Sequence, residues 1–491
     1  MHRFEFISSI APHFFVNGAN VRIIQSPSEF YNTLKDLAVS SRYRIVLSSL
    51  YLGTGELEQR LVDAVEESLK KCAAAENRCD SSGDGFLETA YQAAIPIPTS
   101  SESAGVSVKV LLDHSRANRG LKNSCTMLQP LLQQYPGQVE VCLYHTPTLR
   151  GFLKRLLPER WNEIVGVQHM KLYIFDDHLL ISGANLSDQY FVNRQDRYLL
   201  IENCGALADY CADLVNAVSR CSFRLRPDGE QALHPDCSVH PFEGSFDKYR
   251  NLLRSRVSSV INSGLQNSQP CHSKSSSHDT IIYPLVQMGC LGIRQDSDVL
   301  YRLFQTPPET RLDIASGYFN LTQTYSDLLL RGAQGNLRIL MASPQANGFY
   351  NGHGLSGYIP SLYVDLARRF TDFVRKFCQE SRIQLWEYYR QGWTFHAKGL
   401  WFSSETDSSP QSLPSMTVVG STNYGYRSVD RDLEAQLVIV TENADLQHRL
   451  AAETESLFSQ ANIVDGATFR RTDHYVPLWV RYISRFIRSY F

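Results

Sequence analysis

The chain lacks the features that mark several large classes of protein. Its 48 lysines and arginines nearly balance 50 aspartates and glutamates, for a net charge of −2, so no overall positive field attracts nucleic acid. An anionic ligand must therefore be met by a local group of basic residues. The eleven cysteines are irregularly spaced and form no C-x-x-C pair, which favours free thiols in a reducing compartment over a disulfide framework or a zinc site.

Long apolar runs are also missing. No stretch of about 18 apolar residues occurs, so no helix is expected to span a membrane. The N-terminal stretch MHRFEFISSIAPHFF resembles neither a signal peptide nor an arginine-rich transit peptide. We therefore expect either that the protein has no presequence or that Met1 begins a trimmed chain.

The chain does contain an ordinary globular composition and an internal repeat. With 43% hydrophobic and 20% charged residues over 491 positions, it is long enough for two or three domains. Several features occur twice in the same order, which indicates an internal duplication. The pairs are RIVLSSLYLGTG (44–55) with RLDIASGYFNLT (311–322), KVLLDHSRANRG (109–120) with RILMASPQANGF (338–349), and QHMKLYIFD (168–176) with FHAKGLWFS (395–403).

Strands that alternate with amphipathic helices predict an α/β fold. We expect two duplicated halves, each a mixed sheet flanked by helices, packed about a pseudo-twofold axis. The halves are predicted over 20–225 and 281–470, with a linker containing a low-complexity loop at 226–280 and a basic amphipathic helix at 471–491. Segments rich in serine, glycine and proline are predicted to be surface loops without chemistry. They are residues 76–105, 263–279 and 403–416.

The third repeated segment carries a histidine and a lysine two residues apart. Because side chains of a strand alternate between faces, His169 and Lys171 are expected on one face, as are His396 and Lys398. In each half an asparagine preceded by small residues follows, and a carboxylate comes eleven residues after it. The asparagines are Asn185 and Asn423, and the carboxylates are Asp196 and Glu434.

Two such sets brought to one axis suit a phosphodiester. Lysines and asparagine amides neutralise and hydrogen bond the non-bridging oxygens. One imidazole can attack phosphorus while the other protonates the leaving oxygen, and each acid can hold an imidazole in the required tautomer. A single His-x-Lys pair is more often a solvated strand edge, but its repetition with the asparagine and the acid indicates a catalytic centre.

The twin His-x-Lys motifs resemble those of the phospholipase D superfamily, whose halves each give one motif to a shared site. The strings LYLGTGELEQ, ISGANLSDQYFVNRQDRY, GYFNLTQ, GWTFHAKGLW and GSTNYGYRSVDRDLEAQ are similar to the mitochondrial phosphatidylglycerophosphate synthases of eukaryotes. The resemblance covers the chain from about residue 5 onward, apart from the low-complexity segments. It implies phospholipase D-like halves that transfer a phosphatidyl group from CDP-diacylglycerol to glycerol 3-phosphate, releasing CMP, on the way to cardiolipin.

The resemblance also implies a role for each motif residue. His169 would be the nucleophile that forms a phosphatidyl-histidine, and His396 the general acid and then the general base. Each histidine would be oriented by the acid of the other half, so that Glu434 pairs with His169 and Asp196 with His396. The residues that would bind phosphoryl oxygens are Lys171, Lys398, Asn185 and Asn423.

Asp176 completes a His-x-Lys-x4-Asp motif in the first half and is counted among the catalytic residues. The chain departs from the superfamily pattern where Ser403 replaces the second acid and where SGAN (182–185) replaces the usual GSxN. We expect the missing acid to have served strand packing or the position of the lysine. No metal or other cofactor is expected, because fixed lysines supply the positive charge.

Glycerol 3-phosphate is a small dianion, so cationic side chains are expected near the centre. The loop DHSRANRG (113–120) follows a predicted strand, at a place where α/β folds commonly bind ligands. Arg427, shortly after Asn423, is a second candidate. A surface salt bridge is the alternative interpretation of each arginine. The candidates of the loop are Ser115, Arg116, Asn118 and Arg119.

The C-terminal segment VPLWVRYISRFIRSYF (476–491) has the pattern of a basic amphipathic helix, which is typical of an anchor at an anionic membrane surface. Packing against the core is the alternative. The membrane residues would be Trp479, Arg481, Ile483, Arg485, Phe486 and Arg488. LRGFLKRLLPERW (149–161) is a second candidate contact. Together with the resemblance, this predicts a peripheral protein on the matrix side of the mitochondrial inner membrane.

Other functions stay open. A phospholipase D-like nuclease should carry a basic stripe with stacking aromatics, which the net charge does not favour. Cardiolipin synthase and phosphatidylserine synthase of the same superfamily differ in acceptor, which the residues alone do not decide. A catalytically inactive scaffold is disfavoured because both histidines and both lysines are present. The sequence leaves acyl-chain preference and oligomeric state open.

Overall fold

The structure is a computed structural model that describes residues 2–80, 105–151, 154, 159–268, 278–404 and 412–488. Parts of the predicted surface loops lie outside these ranges, namely 81–104, 269–277 and 405–411. So do residues 152–153 and 155–158 of the basic segment 149–161.

A nine-stranded mixed sheet forms the first half. Its strands are β2 (Val21–Ile24), β3 (Arg44–Ser48), β4 (Ser107–Asp113), β5 (Val139–Tyr144), β6 (Leu172–Phe175), β7 (His178–Ser182), β9 (Tyr198–Ile201), β10 (Phe223–Leu225) and β11 (Gln231–Leu233). Across the sheet they lie in the order β11-β10-β5-β4-β3-β6-β7-β9-β2. β3, β4 and β5 are parallel, and the other neighbours are antiparallel.

A ten-stranded mixed sheet forms the second half. Its strands are β1 (Phe14–Val16), β12 (Thr280–Met288), β13 (Ile293–Arg294), β14 (Thr310–Ser316), β15 (Asn336–Ala342), β16 (Ile383–Tyr388), β18 (Lys398–Ser404), β19 (Pro414–Gly420), β20 (Glu434–Thr441) and β21 (Ala461–Ile463). They lie in the order β1-β12-β20-β19-β18-β14-β15-β16-β21, with β13 beside β12. From β21 to β12 this order repeats, strand for strand, the order from β10 to β2 in the first sheet, so the predicted duplication is visible in the topology.

Helices cover both sheets. The α-helices are α1 (Pro27–Ser40), α2 (Glu56–Asp80), α3 (His114–Ala117), α4 (Ser124–Gln134), α5 (Asp188–Val192), α6 (Gly205–Ser219), α7 (Phe246–Asn267), α8 (Gln295–Leu303), α9 (Gln323–Asp327), α10 (Ile359–Lys376), α11 (Tyr426–Asp430), α12 (Ala444–Phe458) and α13 (Leu478–Ile487). Short 3-10 helices occur at His2–Ser9, Gly18–Asn20, Glu159–Val165, Gly289–Leu291, Gly354–Tyr358, Thr468–Arg470 and Thr472–His474, and a π-helix at Leu328–Gly332. Their ends follow the sequence: α1, for example, begins with Pro27 after Ser26, whose hydroxyl accepts the N–H of Glu29.

The two halves share a hydrophobic core. One cluster of buried side chains contains Met170, Leu172 and Ile174 from the first half and Trp401 from the second, whereas Tyr173 faces the separate core of the first half. The alternation predicted for the first motif is therefore confirmed. Because this core crosses the molecule, the halves are packed together rather than tethered.

The predicted linker at 226–280 is wrong in most of its length. β11 pairs with β10 in the first sheet, and α7 packs against α6 and buries Tyr249, Leu253, Val257 and Ile261. The serine-rich composition after residue 263 concealed the last turn of α7, whose apolar positions recur at helical spacing. The N-terminal strand β1 belongs to the second sheet, because it pairs with β12.

Candidate active site

Each motif histidine lies just before a strand rather than inside one. His169 lies in the segment before β6, and His396 lies between β18 and the two-residue strand β17 (Thr394–Phe395), which pairs with β8 (Arg194–Gln195). The backbone N–H of His169 donates to the carbonyl of Leu433 at 2.9 Å, and that of His396 donates to the carbonyl of Gln195 at 2.8 Å. Each carbonyl belongs to the residue immediately before a predicted acid of the other half. This backbone pairing therefore places each acid beside the opposite histidine.

The acids bond the histidines in the crossed arrangement. Nδ1 of His169 lies 2.9 Å from Oε2 of Glu434, and Nδ1 of His396 lies 2.7 Å from Oδ2 of Asp196. All of these side chains are buried. A carboxylate at Nδ1 holds the proton there and leaves the Nε2 lone pair available at His169, whereas Nζ of Lys398 lies 3.1 Å from Nε2 of His396. Within the described ranges, no side chain hydrogen bonds to Nε2 of His169.

Burial governs the charge of the imidazoles. Desolvation lowers the pKa of His169, although Glu434 opposes the shift. Desolvation, together with the cations Lys398 and Arg194, lowers the pKa of His396 well below its usual value. Both rings are therefore neutral near pH 7, which is the form that a nucleophile or a general base requires.

The carboxylates are not equivalent. Burial raises the pKa of Asp196 to about 6. Burial also acts on Glu434, but His169 and Lys171 outweigh it and hold its pKa at about 2. The hydroxyl of Ser428 donates to Oε1 of Glu434 at 2.7 Å and fixes its orientation. The His169 side of the centre therefore has the more firmly charged acid.

Lys171 and Lys398 are completely buried beside the histidines. Nζ of Lys171 donates to the carbonyl oxygen of His169 at 2.7 Å, and Nζ of Lys398 donates to that of His396 at 2.6 Å. Burial lowers the pKa of Lys171 to about 7 and that of Lys398 to about 8. A bound phosphoryl group would favour the charged form of both, so the lysines suit its non-bridging oxygens.

The asparagines each leave a side-chain oxygen buried without a partner. Nδ2 of Asn185 donates to the hydroxyl of Tyr190 at 3.1 Å, and that hydroxyl lies 3.4 Å from Nε2 of His396. The backbone N–H of Asn423 donates to Ser428 Oγ at 3.1 Å. Because a buried amide atom without a partner is unfavourable, these positions suit contact with a ligand.

The unusual SGAN segment has a steric reason. A Cβ on Gly183 would lie 2.7 Å from Oδ1 of Asp196 and 3.1 Å from Cδ of Lys398. Any side chain at this position would therefore push the acid or the lysine out of the centre. The glycine permits the close approach of the two halves.

Asp176 is not brought to this centre, and its predicted catalytic role is not supported by its position. It lies in the turn after β6, at φ 50°, and its carboxylate accepts the backbone N–H groups of Arg42, Tyr43 and Arg44. The residue caps a turn at the far end of the strand that follows His169. Ser403 is a buried residue of β18, at the point where the pairing of β18 with β19 becomes irregular.

The candidate acceptor residues fall into two groups. Arg116 and Arg119 both form ion pairs with Glu163, at 3.3 and 3.0 Å, and Arg116 also lies 4.2 Å from the centre of the Tyr51 ring. Arg427 forms an ion pair of 3.1 Å with Asp432, next to the His169 side of the centre.

The polar loop residues have structural contacts instead. The backbone N–H of Ser115 donates to Asp113, which caps α3. The side chain of Asn118 bonds the carbonyl of His114 and the side chain of Gln231. These contacts explain the shape of the loop without a ligand.

Sequence reasoning missed residues that break the symmetry of the halves. Arg194 lies two residues before Asp196, and Asp432 lies two residues before Glu434, so aligned positions carry opposite charges. Tyr190 and Tyr318 stand with their rings 5.1 and 5.4 Å from the ring of His396. Alignment of the two repeats beyond the motif residues was the signal that could have found Arg194 and Asp432.

Within the described part of the chain, His169, Asp432 and Glu434 form the one group of side chains close enough to share a metal ion, with ligand atoms within 4.8 Å of one another. Their atoms are engaged otherwise: Glu434 bonds His169, and Asp432 pairs with Arg427 and accepts the N–H of Val167. An arginine held against the carboxylate suits a hydrogen-bonded acid better than a cation site.

The helix predicted over 471–491 is shorter in the structure, where α13 spans Leu478–Ile487; a 3-10 helix at Thr472–His474 precedes it, and residues 489–491 lie outside the described ranges. The inner side of α13 packs on α10, where Ser484 donates to Asp365 and Arg369 donates to Ser484. Its outer side exposes 43% of Trp479, 38% of Ile483 and 67% of Phe486. Packing against the core is therefore observed for the inner side of the helix, and the membrane contact of the outer side stays a prediction.

The predicted arginines of this helix have different surroundings. Arg488 donates to the hydroxyl of Tyr426 at 2.6 Å, Arg481 is half-buried, and Arg485 is exposed. Among the residues that the structure describes, no helix is both long and apolar enough to cross a bilayer.

The duplicated sheets and the paired His-x-Lys centre with crossed acids define a phospholipase D-like phosphotransfer protein. The phosphatidylserine synthase of Haemophilus influenzae has this fold, with a TM-score of 0.70 and 18% identity over 100% of this chain and 99% of that chain. At that identity the likeness concerns the fold alone. No family model matches the chain.

Sequence relatives are more specific. The mitochondrial CDP-diacylglycerol–glycerol-3-phosphate 3-phosphatidyltransferase of Gallus gallus is 42% identical over 514 residues, covering 100% of this chain and 87% of the relative. That of Homo sapiens is 42% identical over 511 residues, covering 100% and 86%. The enzyme of the same name from Saccharomyces pastorianus is 31% identical over 92% of this chain and 84% of its own. The chain belongs to the family of CDP-diacylglycerol–glycerol-3-phosphate 3-phosphatidyltransferases, which confirms the resemblance found in the motifs.

Proposed function

We propose that the protein transfers the phosphatidyl group of CDP-diacylglycerol to glycerol 3-phosphate through a phosphatidyl-histidine. In the first step Nε2 of His169 attacks phosphorus, the bond to the CMP oxygen breaks, and CMP leaves. In the second step the acceptor hydroxyl gives its proton to Nε2 of His396 and its oxygen attacks phosphorus. The phosphorus–nitrogen bond then breaks and its electron pair returns to His169.

The crossed histidine–acid pairs are the observation that carries this proposal. Glu434 holds the proton of His169 on Nδ1 and leaves the unbonded Nε2 to attack. Because burial keeps His396 neutral by lowering its pKa, its imidazole can accept the proton of the acceptor hydroxyl. CMP leaves as a phosphate, so departure depends less on a proton from His396 than on cations at the leaving oxygen. Lys171 and Lys398 hold the phosphoryl oxygens.

Purified protein given CDP-diacylglycerol and glycerol 3-phosphate should release CMP in the presence of a metal chelator, because the lysines supply the positive charge. His169→Ala should abolish release, while His448→Ala, at an exposed position of α12, should not change it. Acid-quenched enzyme should carry the phosphatidyl group on His169. Release with serine, phosphatidylglycerol or a nucleic acid, but not with glycerol 3-phosphate, would overturn the acceptor assignment.

We further infer that the protein works at an anionic membrane surface. The exposed apolar side of α13 supports this, as does the substrate, since taking a diacyl lipid out of a bilayer costs about 0.8 kcal/mol per CH₂. The names of the mitochondrial relatives support a mitochondrial location, and we infer that the protein works on the matrix face of the inner membrane. Protease protection in isolated mitochondria and mitoplasts tests this assignment.

A further inference from the structure

Arg194 is a buried cation that the mechanism above does not use. Only 9% of the residue is exposed. Its Nε donates to Oγ1 of Thr394 at 3.0 Å, its Nη2 donates to the side chain of Gln189, and its guanidinium carbon lies 4.6 Å from the centre of the Tyr190 ring. All of these partners are neutral, and they leave further N–H donors of the guanidinium unused.

The other arginines of the centre are neutralised. Arg116 and Arg119 pair with Glu163, and Arg427 pairs with Asp432. Within the described residues, Arg194 forms no ion pair, although it lies near enough to Asp196 to oppose the rise that burial causes in the pKa of that carboxyl group. A buried cation without a directly bonded anion is stabilised when a ligand supplies the negative charge.

Tyr318 lies on the same side of the centre and is also free to bind. A Cβ on Gly348 would lie 3.0 Å from Nη2 of Arg194 and 3.2 Å from the hydroxyl of Tyr318, so the two donors border the same backbone. The hydroxyl of Tyr318 bonds no described residue. Its counterpart in the first half, Tyr51, bonds Ser187 at 3.0 Å. The open tyrosine and the unpaired arginine thus both belong to the His396 side.

We propose that Arg194 and Tyr318 bind the phosphate group of the acceptor, a small phosphate monoester, while His396 takes the proton of its hydroxyl. The proposal rests on the phosphatidyl transfer proposed above. Tyr318 reaches from the ring of His396 toward Arg194, so a three-carbon acceptor can place its hydroxyl at the imidazole and its phosphate at the guanidinium. A small cavity bordered by Gly317, Asn347 and Tyr363 lies beside Tyr318, whose ring stacks on that of Tyr363.

Arg194→Gln tests the subsite with two acceptors, glycerol 3-phosphate and glycerol. Loss of the charged hydrogen bonds between Arg194 and the acceptor phosphate should lower kcat/KM for glycerol 3-phosphate by roughly 10- to 100-fold. The value for glycerol, which has no phosphate, should fall much less, because the effect of Arg194 on the pKa of His396 acts on both acceptors alike. Tyr318→Phe should give a smaller loss of the same preference. Arg194→Lys should recover part of the preference for glycerol 3-phosphate, because lysine keeps the positive charge but cannot donate two parallel hydrogen bonds as a guanidinium does.

Arg382→Gln is the matched control. Arg382 is a half-buried arginine that donates to the carbonyls of Leu329 and Leu330 at the far edge of the second sheet. Its loss should lower the melting temperature without changing the ratio of the two acceptors. Melting curves of the Arg194 variants separate misfolding from loss of binding. The Tyr318→Phe variant tests the subsite while Arg194 stays in place.

CMP is also a phosphate monoester, so its exchange into CDP-diacylglycerol without acceptor is measured in parallel. A variant that slows exchange and both transfers equally, with the acceptor ratio of the wild type, would place Arg194 at the leaving group and overturn the proposal. An unchanged preference for glycerol 3-phosphate in Arg194→Gln would also overturn it. Failure of the proposed function looks different, since the wild-type protein would then release no CMP with glycerol 3-phosphate.

Discussion

At the scale of single residues, the centre is set for anion binding by two lysines that burial makes weak bases. The pKa of Lys171 is about 7 and that of Lys398 about 8, so near neutral pH a substantial fraction of each is uncharged in the free protein. A bound phosphate favours the charged forms and raises both pKa values. Binding and proton uptake are therefore coupled.

We predict that CMP binds with uptake of about one proton near pH 7.5 and that its affinity falls roughly 500-fold as the pH rises from 7 to 9. The sign follows from the lysines: the complex holds more protons than the free protein, so binding is strongest below their free pKa values and weakens above them. Calorimetry in buffers of different ionisation enthalpy measures the uptake. Lys398→Met should reduce it, and a pH-independent affinity would contradict the coupling.

Sequence analysis placed correctly the histidines and acids of the repeated motif, which act on one another chemically. The crossed pairs of His169 with Glu434 and His396 with Asp196 are those that the resemblance to the phospholipase D superfamily implies. Asp176 was misassigned, since spacing along a strand does not tell which end of the strand faces the site. Arg194 was missed although the alignment of the repeats pairs it with Asp432; its lack of an ion pair among the described residues is visible only in three dimensions.

At the scale of elements, the strands and the repeat were readable from periodicity, whereas the serine-rich segment near residue 263 was not. Helix α7 continues to Asn267 because its apolar positions pack on the shared core, and tertiary packing overrides weak local propensity. The pairing of β1 with β12 was also invisible, because three residues carry no sign of their distant partner.

Helix α13 gives a prediction about membrane binding. The double change Tyr482→Ser and Phe486→Ser removes two aromatic side chains that are 68% and 67% exposed. Their loss should weaken binding to anionic vesicles by roughly 10- to 100-fold, because interfacial binding scales with buried apolar area. Cosedimentation measures it. Leu121→Ser, at a fully exposed leucine of the first half, is the control, and equal binding by both variants would count against α13 as the anchor.

At the scale of the whole molecule, a buried ion pair joins the halves beside the centre. Arg197, which follows Asp196, bonds Glu453 of α12 through both Nε and Nη2 at 2.8 Å and donates to the carbonyl of Val418. Its guanidinium lies 3.8 Å from the ring centre of Trp401, whose Nε1 donates to Glu453 at 2.9 Å. Two adjacent residues therefore have different tasks: Asp196 is an acid of the centre, and Arg197 forms the ion pair that joins the two halves.

Glu453→Gln should lower the free energy of unfolding by about 3–5 kcal/mol, because it leaves the charge of Arg197 buried without a partner. Glu56→Gln, in an exposed ion pair with Arg60, should cost less than about 1 kcal/mol. Urea denaturation followed by fluorescence compares the two. A similar midpoint for both variants would show that the buried pair does not hold the halves together.

The pairing of β1 with β12 has a consequence for synthesis on the ribosome. Phe14 lies opposite Ile282, so the first strand made has no partner until the chain has grown past the entire first half. At ~5–20 residues per second this wait lasts roughly 10–50 s. During it the first sheet can close while the N-terminal strand stays an unpaired edge, which is a point where a nascent-chain chaperone would be expected to act.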